Sequence, residues 1–188
     1  MILPIYAYGQ PVLKKQAQPI DREYPELKEL IDNMWETMYH AQGVGLAAPQ
    51  IGLSIRLFIV DTTQLMEDEN QEEGIKKVFI NAEKVEETGE VWTYEEGCLS
   101  IPKIRGDVDR HDTITLRYCD ENFNEKTETF KDIHARVIQH EFDHIEGKLF
   151  VEKLKPLKKQ LIKRRLEAIK KGQVDVDYRM KFTIQSTT

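Results

Sequence analysis

The stretch His140-Glu141-Phe142-Asp143-His144 places two histidines four residues apart, with a glutamate beside the first. On a helix, positions four apart share a face. Both imidazoles can then reach one metal ion while Glu141 reaches a water held there, the pattern of a metal-dependent hydrolase. The plainer reading is a helix whose histidines merely sit on a polar face. With only 5 histidines in 188 residues, a chance match is uncommon.

A catalytic site of this kind needs three protein ligands and an open position. A third histidine six residues past the second is one known solution, but that position is Phe150. Glu167 is a downstream candidate, set in a basic segment with no acidic or aromatic support. Upstream stand Cys98, Cys119, His40, His111 and His134. His134 lies about 120° around the helix from His140 and points elsewhere. His40 ends a helix and His111 sits in a polar turn between strands, so both are expected at the surface. Cys119 reads as a packed thiol on a strand. Cys98, between Gly97 and Leu99, leaves strand geometry for a loop in which glycine lets the backbone approach an ion. Spacing favours Cys98 and leaves Cys119 open.

These residues need a scaffold. Pro4, Pro11 and Pro19 keep the first twenty residues extended or looped. Leu27, Leu30, Ile31, Met34, Met38 and Ala41 repeat at three and four, an amphipathic helix that Gly43 is expected to stop. A buried-type strand is expected over 55–60, and the acidic run 67–74 reads as a solvated loop. From Lys77 to Phe130 the pattern is β, with Ile114, Leu116 and Tyr118 alternating with polar neighbours and a hairpin connection at Asp120–Asn122. From Asp132 the period turns helical and carries the two histidines along the edge of an apolar stripe. A second amphipathic helix spans 156–171, with Leu157, Leu161, Ile162, Leu166 and Ile169 expected inward and a basic stripe (Lys158, Lys159, Lys163, Arg164, Arg165) outward. Such a stripe is most often a solvated face, and contact with RNA or the ribosome is the alternative. The segment 174–182 alternates like an edge strand.

Length and composition frame a single domain, 1–188, in which the role of 156–188 is open. Hydrophobic residues make up 40% and charged residues 32%, ordinary for a globular protein. A net charge of −6 gives no reason to expect DNA binding. Two cysteines form no disulfide framework, which points to the reducing cytoplasm. No apolar run approaches the roughly 20 residues of a membrane span, and the N-terminus shows no secretory pattern.

Gly43, Gly45 and Ala48 also satisfy a dinucleotide-binding spacing, with Asp61 after the next strand. That fingerprint needs a strand before the glycines and a helix after them. Here a helix precedes and Pro49 blocks the helix that would follow. The glycines are better explained by backbone approaching a ligand closely.

Three segments together resemble peptide deformylase: Gly43–Gln50 (GVGLAAPQ), Glu96–Ser100 (EGCLS) and Gln139–Gly147 (QHEFDHIEG). All three match the family's motifs in order, and the resemblance runs from the N-terminus to about Leu154. It implies an α+β fold in which antiparallel sheets wrap a central metal-binding helix, to which the periodicity adds an N-terminal helix and a C-terminal amphipathic helix. It implies a metal held by Cys98, His140 and His144, with Fe²⁺ as the usual native ion and Zn²⁺ or another divalent ion as substitutes. The implied reaction is hydrolysis of the N-formyl group on the initiator methionine of nascent polypeptides, releasing formate. Water on the ion attacks, and Glu141 serves as base and then acid. The resemblance assigns the Gln50 side-chain amide and the Leu99 backbone N–H to the developing oxyanion. Substrate contacts are expected from Gly43, Val44, Gly45 and Leu46 as an added-strand partner, from Gly97, and from Val44, Ile133 and Val137 as walls of a methionine pocket. Those three apolar residues are equally readable as ordinary core. Arg110 is expected to hold Glu96 beneath the cysteine loop. A peptidase built on the same helix, or a structural metal in a binding module, are the rival readings.

Overall fold

The computed structural model describes residues 1–183. The proline-rich start runs through a two-residue strand, β1 (Ile5–Tyr6), and a 3-10 turn at Pro11–Lys14. Helix α1 spans Leu27–His40 and buries Ile31, Met34, Thr37 and Met38. Gly43 does not stop it. Gln42 takes the left-handed position (φ 59°), and the Gly43 N–H closes back onto the Met38 carbonyl at 2.9 Å.

Five strands follow: β2 (Gly45–Ala47), β3 (Leu57–Asp61), β4 (Lys76–Cys98), β5 (Ile101–Cys119) and β6 (Glu125–Lys131). They form one antiparallel sheet in that order, so β2 is an edge. Helix α2 (Asp132–Ile145) packs on one face of the sheet. Its Ala135, Ile138, Phe142 and Ile145 meet Phe58, Val60, Phe79, Ile114, Leu116 and Phe130. The opposite face meets α1 through Leu57, Ile59, Val78 and Ile80. Strand side chains alternate between faces, so β3 is buried on both, which explains its unbroken apolar run. Four register shifts bend the long β4–β5 hairpin, the last between Gly97 and Cys98. Cys98 is therefore the final residue of β4, opposite Ile101, and the loop expected there shrinks to Leu99–Ser100. His111 lies within β5, opposite Val91, not in a turn. The acidic segment forms exposed 3-10 turns at Asp68–Glu73.

Helix α3 (Pro156–Lys170) buries only Ile162 and Ile169. Leu157 and Leu161 were expected inward and are instead 69% and 67% exposed. The core beneath α3 meets it along one narrow line two turns long, leaving the first turns uncovered. In the tail, inward and outward residues do alternate from Val174 to Phe182. Only β7 (Met180–Lys181) bonds as a strand. It pairs in parallel with β1 in a separate two-stranded sheet, because the edge it reaches is the N-terminus and not the main sheet. Among the described residues, no helix is long and apolar enough to cross a membrane.

Candidate active site

Two consecutive turns of α2 present His140 and His144 to the end of the β4–β5 hairpin. Cys98 arrives there because the hairpin reverses immediately after it. One ligand atom from each of Cys98, His140 and His144 lies within 4.8 Å of the others. The Cys98 Sγ is 3.4 Å from His144 Nε2. His140 Nδ1 is 2.9 Å from Glu96 Oε1, which leaves Nε2 as the free nitrogen of that ring. Cys119 lies elsewhere, on the strand paired with Ile80. His134 turns away to Thr62 Oγ1 at 2.8 Å, His40 is exposed, and Glu167 lies on the exposed side of α3.

Beneath these three side chains is a buried ionic group that spacing revealed only in part. Arg110 donates to both oxygens of Glu96, at 2.7 and 3.0 Å, as expected. Arg136 also donates to Glu96 Oε2 at 2.7 Å, and Arg110 reaches Asp143 Oδ2 at 2.8 Å. Burial opposes the charge on Glu96, yet the hydrogen bonds and charges of His140 and Arg110 outweigh it and hold this carboxyl well below its usual range. Arg136 is fixed further by the carbonyls of Val108 and Trp92, both at 2.8 Å, and lies 4.7 Å from the Trp92 ring centre. Its role was missed in the sequence because every partner comes from β4 or β5. The one local hint is that Arg136 stands four residues before His140.

Glu141 is buried, and its Oε2 has no hydrogen-bond partner among the described residues. Burial pushes its carboxyl up to about 7, a suitable range for taking and returning a proton. A Cβ at Gly45 would lie 2.6 Å from Glu141 Oε1, so only glycine leaves the carboxylate where it is. Gln50 is fixed from both ends. Its Oε1 accepts from the Ala47 N–H at 3.0 Å, and its Nε2 lies 3.1 Å from Ser100 Oγ and 3.4 Å from Cys98 Sγ. A thiol and two imidazoles beside an orphaned carboxylate oxygen form a donor set that suits a divalent ion.

A cavity of about 620 Å³ opens onto this group. Gly43, Val44, Gly45, Gln50, Gly97, Leu99, Val137 and Glu141 line it, all named from sequence. Ile133 does not reach it and lies half-buried outside the lining, and the Leu46 side chain points into the core with α1. Tyr94, Arg136 and the tail residues Asp175–Tyr178 line it as well.

A family profile described as "Polypeptide deformylase" matches residues 2–160. The chain belongs to the peptide deformylase family. A peptide deformylase from Christiangramia forsetii is 56% identical, with 97% of this chain and 96% of that one covered. The crystal structure of peptide deformylase from Thermotoga maritima superposes with a TM-score of 0.74 at 38% identity, over 83% of this chain and 99% of that one. A plant peptide deformylase gives a TM-score of 0.81 at 30% identity, over 94% and 96%. The α+β fold is that of the family. The chain is a metal-dependent hydrolase that removes the N-formyl group from newly made polypeptides.

Proposed function

We propose that Cys98, His140 and His144 hold one divalent ion and that Glu141 moves the proton during formyl-amide hydrolysis. The convergence of those three ligand atoms beside Glu141, at the wall of the cavity, carries this reading. A bound ion would supply the positive charge that makes water acidic and polarises the formyl oxygen. Glu141 accepts a proton from the attacking water and then delivers it to the leaving amine nitrogen. Gln50 Nε2 and the Leu99 N–H stabilise the oxyanion as it develops. The Ala47 N–H occupies the other end of the Gln50 amide, so the donating end is the one that faces the site.

The substrate backbone adds to the free edge of β2. The Asp61 N–H already bonds the Val44 carbonyl, so by alternation the polar groups of Gly45 face outward. Recognition through main-chain groups suits nascent chains of varied sequence. Val44, Val137 and the Tyr94 ring form the methionine pocket. Fe²⁺ is our reading of the resident ion, with Zn²⁺ as a substitute, since a thiolate and two imidazoles accept either. The whole chain acts as one catalytic domain in the cytoplasm, where its substrate is made.

The test pairs formate release from a formyl-Met peptide with anaerobic metal analysis of Cys98→Ser, His140→Ala and His144→Ala. Each variant should lose ion and turnover together. Full metal content in any of them removes that residue from the ligand set. Cleavage of an internal peptide bond in an unformylated peptide would favour the peptidase reading.

We further propose that α3 docks on ribosomal RNA, supported by exposed Lys163, Arg164 and Arg165 beside exposed Leu157 and Leu161. Replacing those three cations with Ala should weaken salt-sensitive cosedimentation with ribosomes. Unchanged binding would leave the stripe as a solvated face.

A further inference from the structure

We propose that Tyr178, in the C-terminal tail, is a positioning residue for the Leu99 oxyanion donor. The inference rests on the role assigned above to the Leu99 N–H. Tyr178 lies beyond the stretch that the family profile matches, which ends at 160.

The turn that carries Leu99 is poorly self-supporting. Cys98 pairs with Ile101, so Leu99–Ser100 is a two-residue hairpin loop. Such loops match strand twist when the first central residue takes a positive φ. Neither Leu99 nor Ser100 does so; the positive φ falls instead on Lys103 (62°), inside the irregularity that follows the turn. The turn is therefore held from outside. The Tyr178 hydroxyl donates to the Leu99 carbonyl at 2.7 Å. The Tyr8 N–H donates to the Ser100 carbonyl at 2.8 Å, and Gln50 Nε2 holds Ser100 Oγ at 3.1 Å.

These supports belong to one frame. Tyr8 follows β1, and Tyr178 precedes β7, the parallel partner of β1. The tail is tied to the N-terminal strand at Ile5 N–Arg179 O and Ala7 N–Lys181 O, both 2.9 Å. Val174, Met180 and Phe182 pack into the core under α3 on either side of Tyr178. The phenol is thus held in place independently of the turn it braces. Fixing the Leu99 carbonyl restricts the ψ of Leu99, and with it the direction of the N–H on the preceding peptide plane. Tyr178 also lines the cavity, but its hydroxyl is engaged with the backbone, so its influence on the reaction runs through Leu99.

The test is Tyr178→Phe in the metal-loaded full chain, with Gln50→Ala alongside. Tyr178→Phe keeps the ring and loses one hydrogen bond. It should lower kcat about three- to tenfold, well short of the hundredfold that a 1 Å misplacement can cost. KM for a formyl-Met peptide should stay within about twofold, since cavity shape is retained. Metal content should match the parent, and amide hydrogen exchange at Leu99 and Ser100 should quicken. An unchanged kcat with Gln50→Ala impaired would overturn the Tyr178 proposal and leave the oxyanion reading standing. If both variants turn over at the parental rate, the oxyanion reading fails and the Tyr178 proposal with it. A loss of kcat accompanied by metal loss or a raised KM would reduce Tyr178 to a structural strut and overturn its positioning role.

Discussion

Glu96 Oε1 sits 2.9 Å from His140 Nδ1 while the same carboxylate bridges two buried arginines. One side chain thereby orients the His140 ring and neutralises the charges beneath it. Glu96→Ala should weaken metal affinity by about 10–100-fold, as loss of a partner behind a ligating imidazole does. It should also destabilise the fold by about 3–5 kcal/mol, because Arg136 would be left buried without its carboxylate partner and Arg110 with Asp143 alone. Chelator competition reads the first effect and urea unfolding the second. Parental values in both would show that the arginines find another anion.

Glu141→Ala should separate binding from chemistry. No ligand atom is removed, so metal content should equal that of the parent. Formate release should fall by at least about 10²–10⁴-fold, the usual worth of a positioned acid–base group. Retained turnover would end the assignment of Glu141 as the proton carrier.

Gly45→Ala places a methyl 2.6 Å from Glu141 Oε1. Either β2 or the carboxylate must move, at a cost of about 1–3 kcal/mol. Turnover should drop more than tenfold, with KM raised as well, as the proposed pairing of the peptide with the β2 edge requires. Steady-state kinetics and a thermal melt check this, and parental kinetics would show that Glu141 has slack.

Alkaline pH should destabilise the fold through Tyr39 and Tyr118. Each phenol is raised above its usual range, first by burial and then by a hydrogen bond to Asp61 or Glu128, both 2.5 Å. A raised acid is neutral in the folded state where the unfolded chain already ionises. Its contribution is complete below pH of about 10 and fades as pH climbs toward the folded values. Tm should therefore fall above pH 10, and the fall should be shallower in Tyr39→Phe/Tyr118→Phe. Parallel pH profiles for parent and double variant would assign the alkaline loss to other groups.

The sequence disclosed the site where its parts lie close along the chain. His140 and His144 share a helical face, so spacing alone paired them. Cys98 needed the family resemblance, because its meeting with α2 depends on where a long bulged hairpin ends. Arg136, Asp143 and Tyr178 were not legible, since each acts on partners brought near only by folding. The elements were legible where burial is one-sided, as in α1 and α2. They misled at Leu157 and Leu161, where periodicity gave a stripe but not the width of what covers it. Ile133 erred similarly: helical phase put it near Val137, yet the cavity wall ends short of it.

The helix bearing both imidazoles also supplies Ile138, Phe142 and Ile145 to the main core. Ion release and global melting are therefore linked equilibria. Saturating cation should lift the unfolding free energy by RT ln(1 + [L]/Kd), about 2.7 kcal/mol at a hundredfold excess over Kd. A cell starved of that cation would then lose the protein to proteolysis as well as losing its turnover, so abundance and activity would decline together.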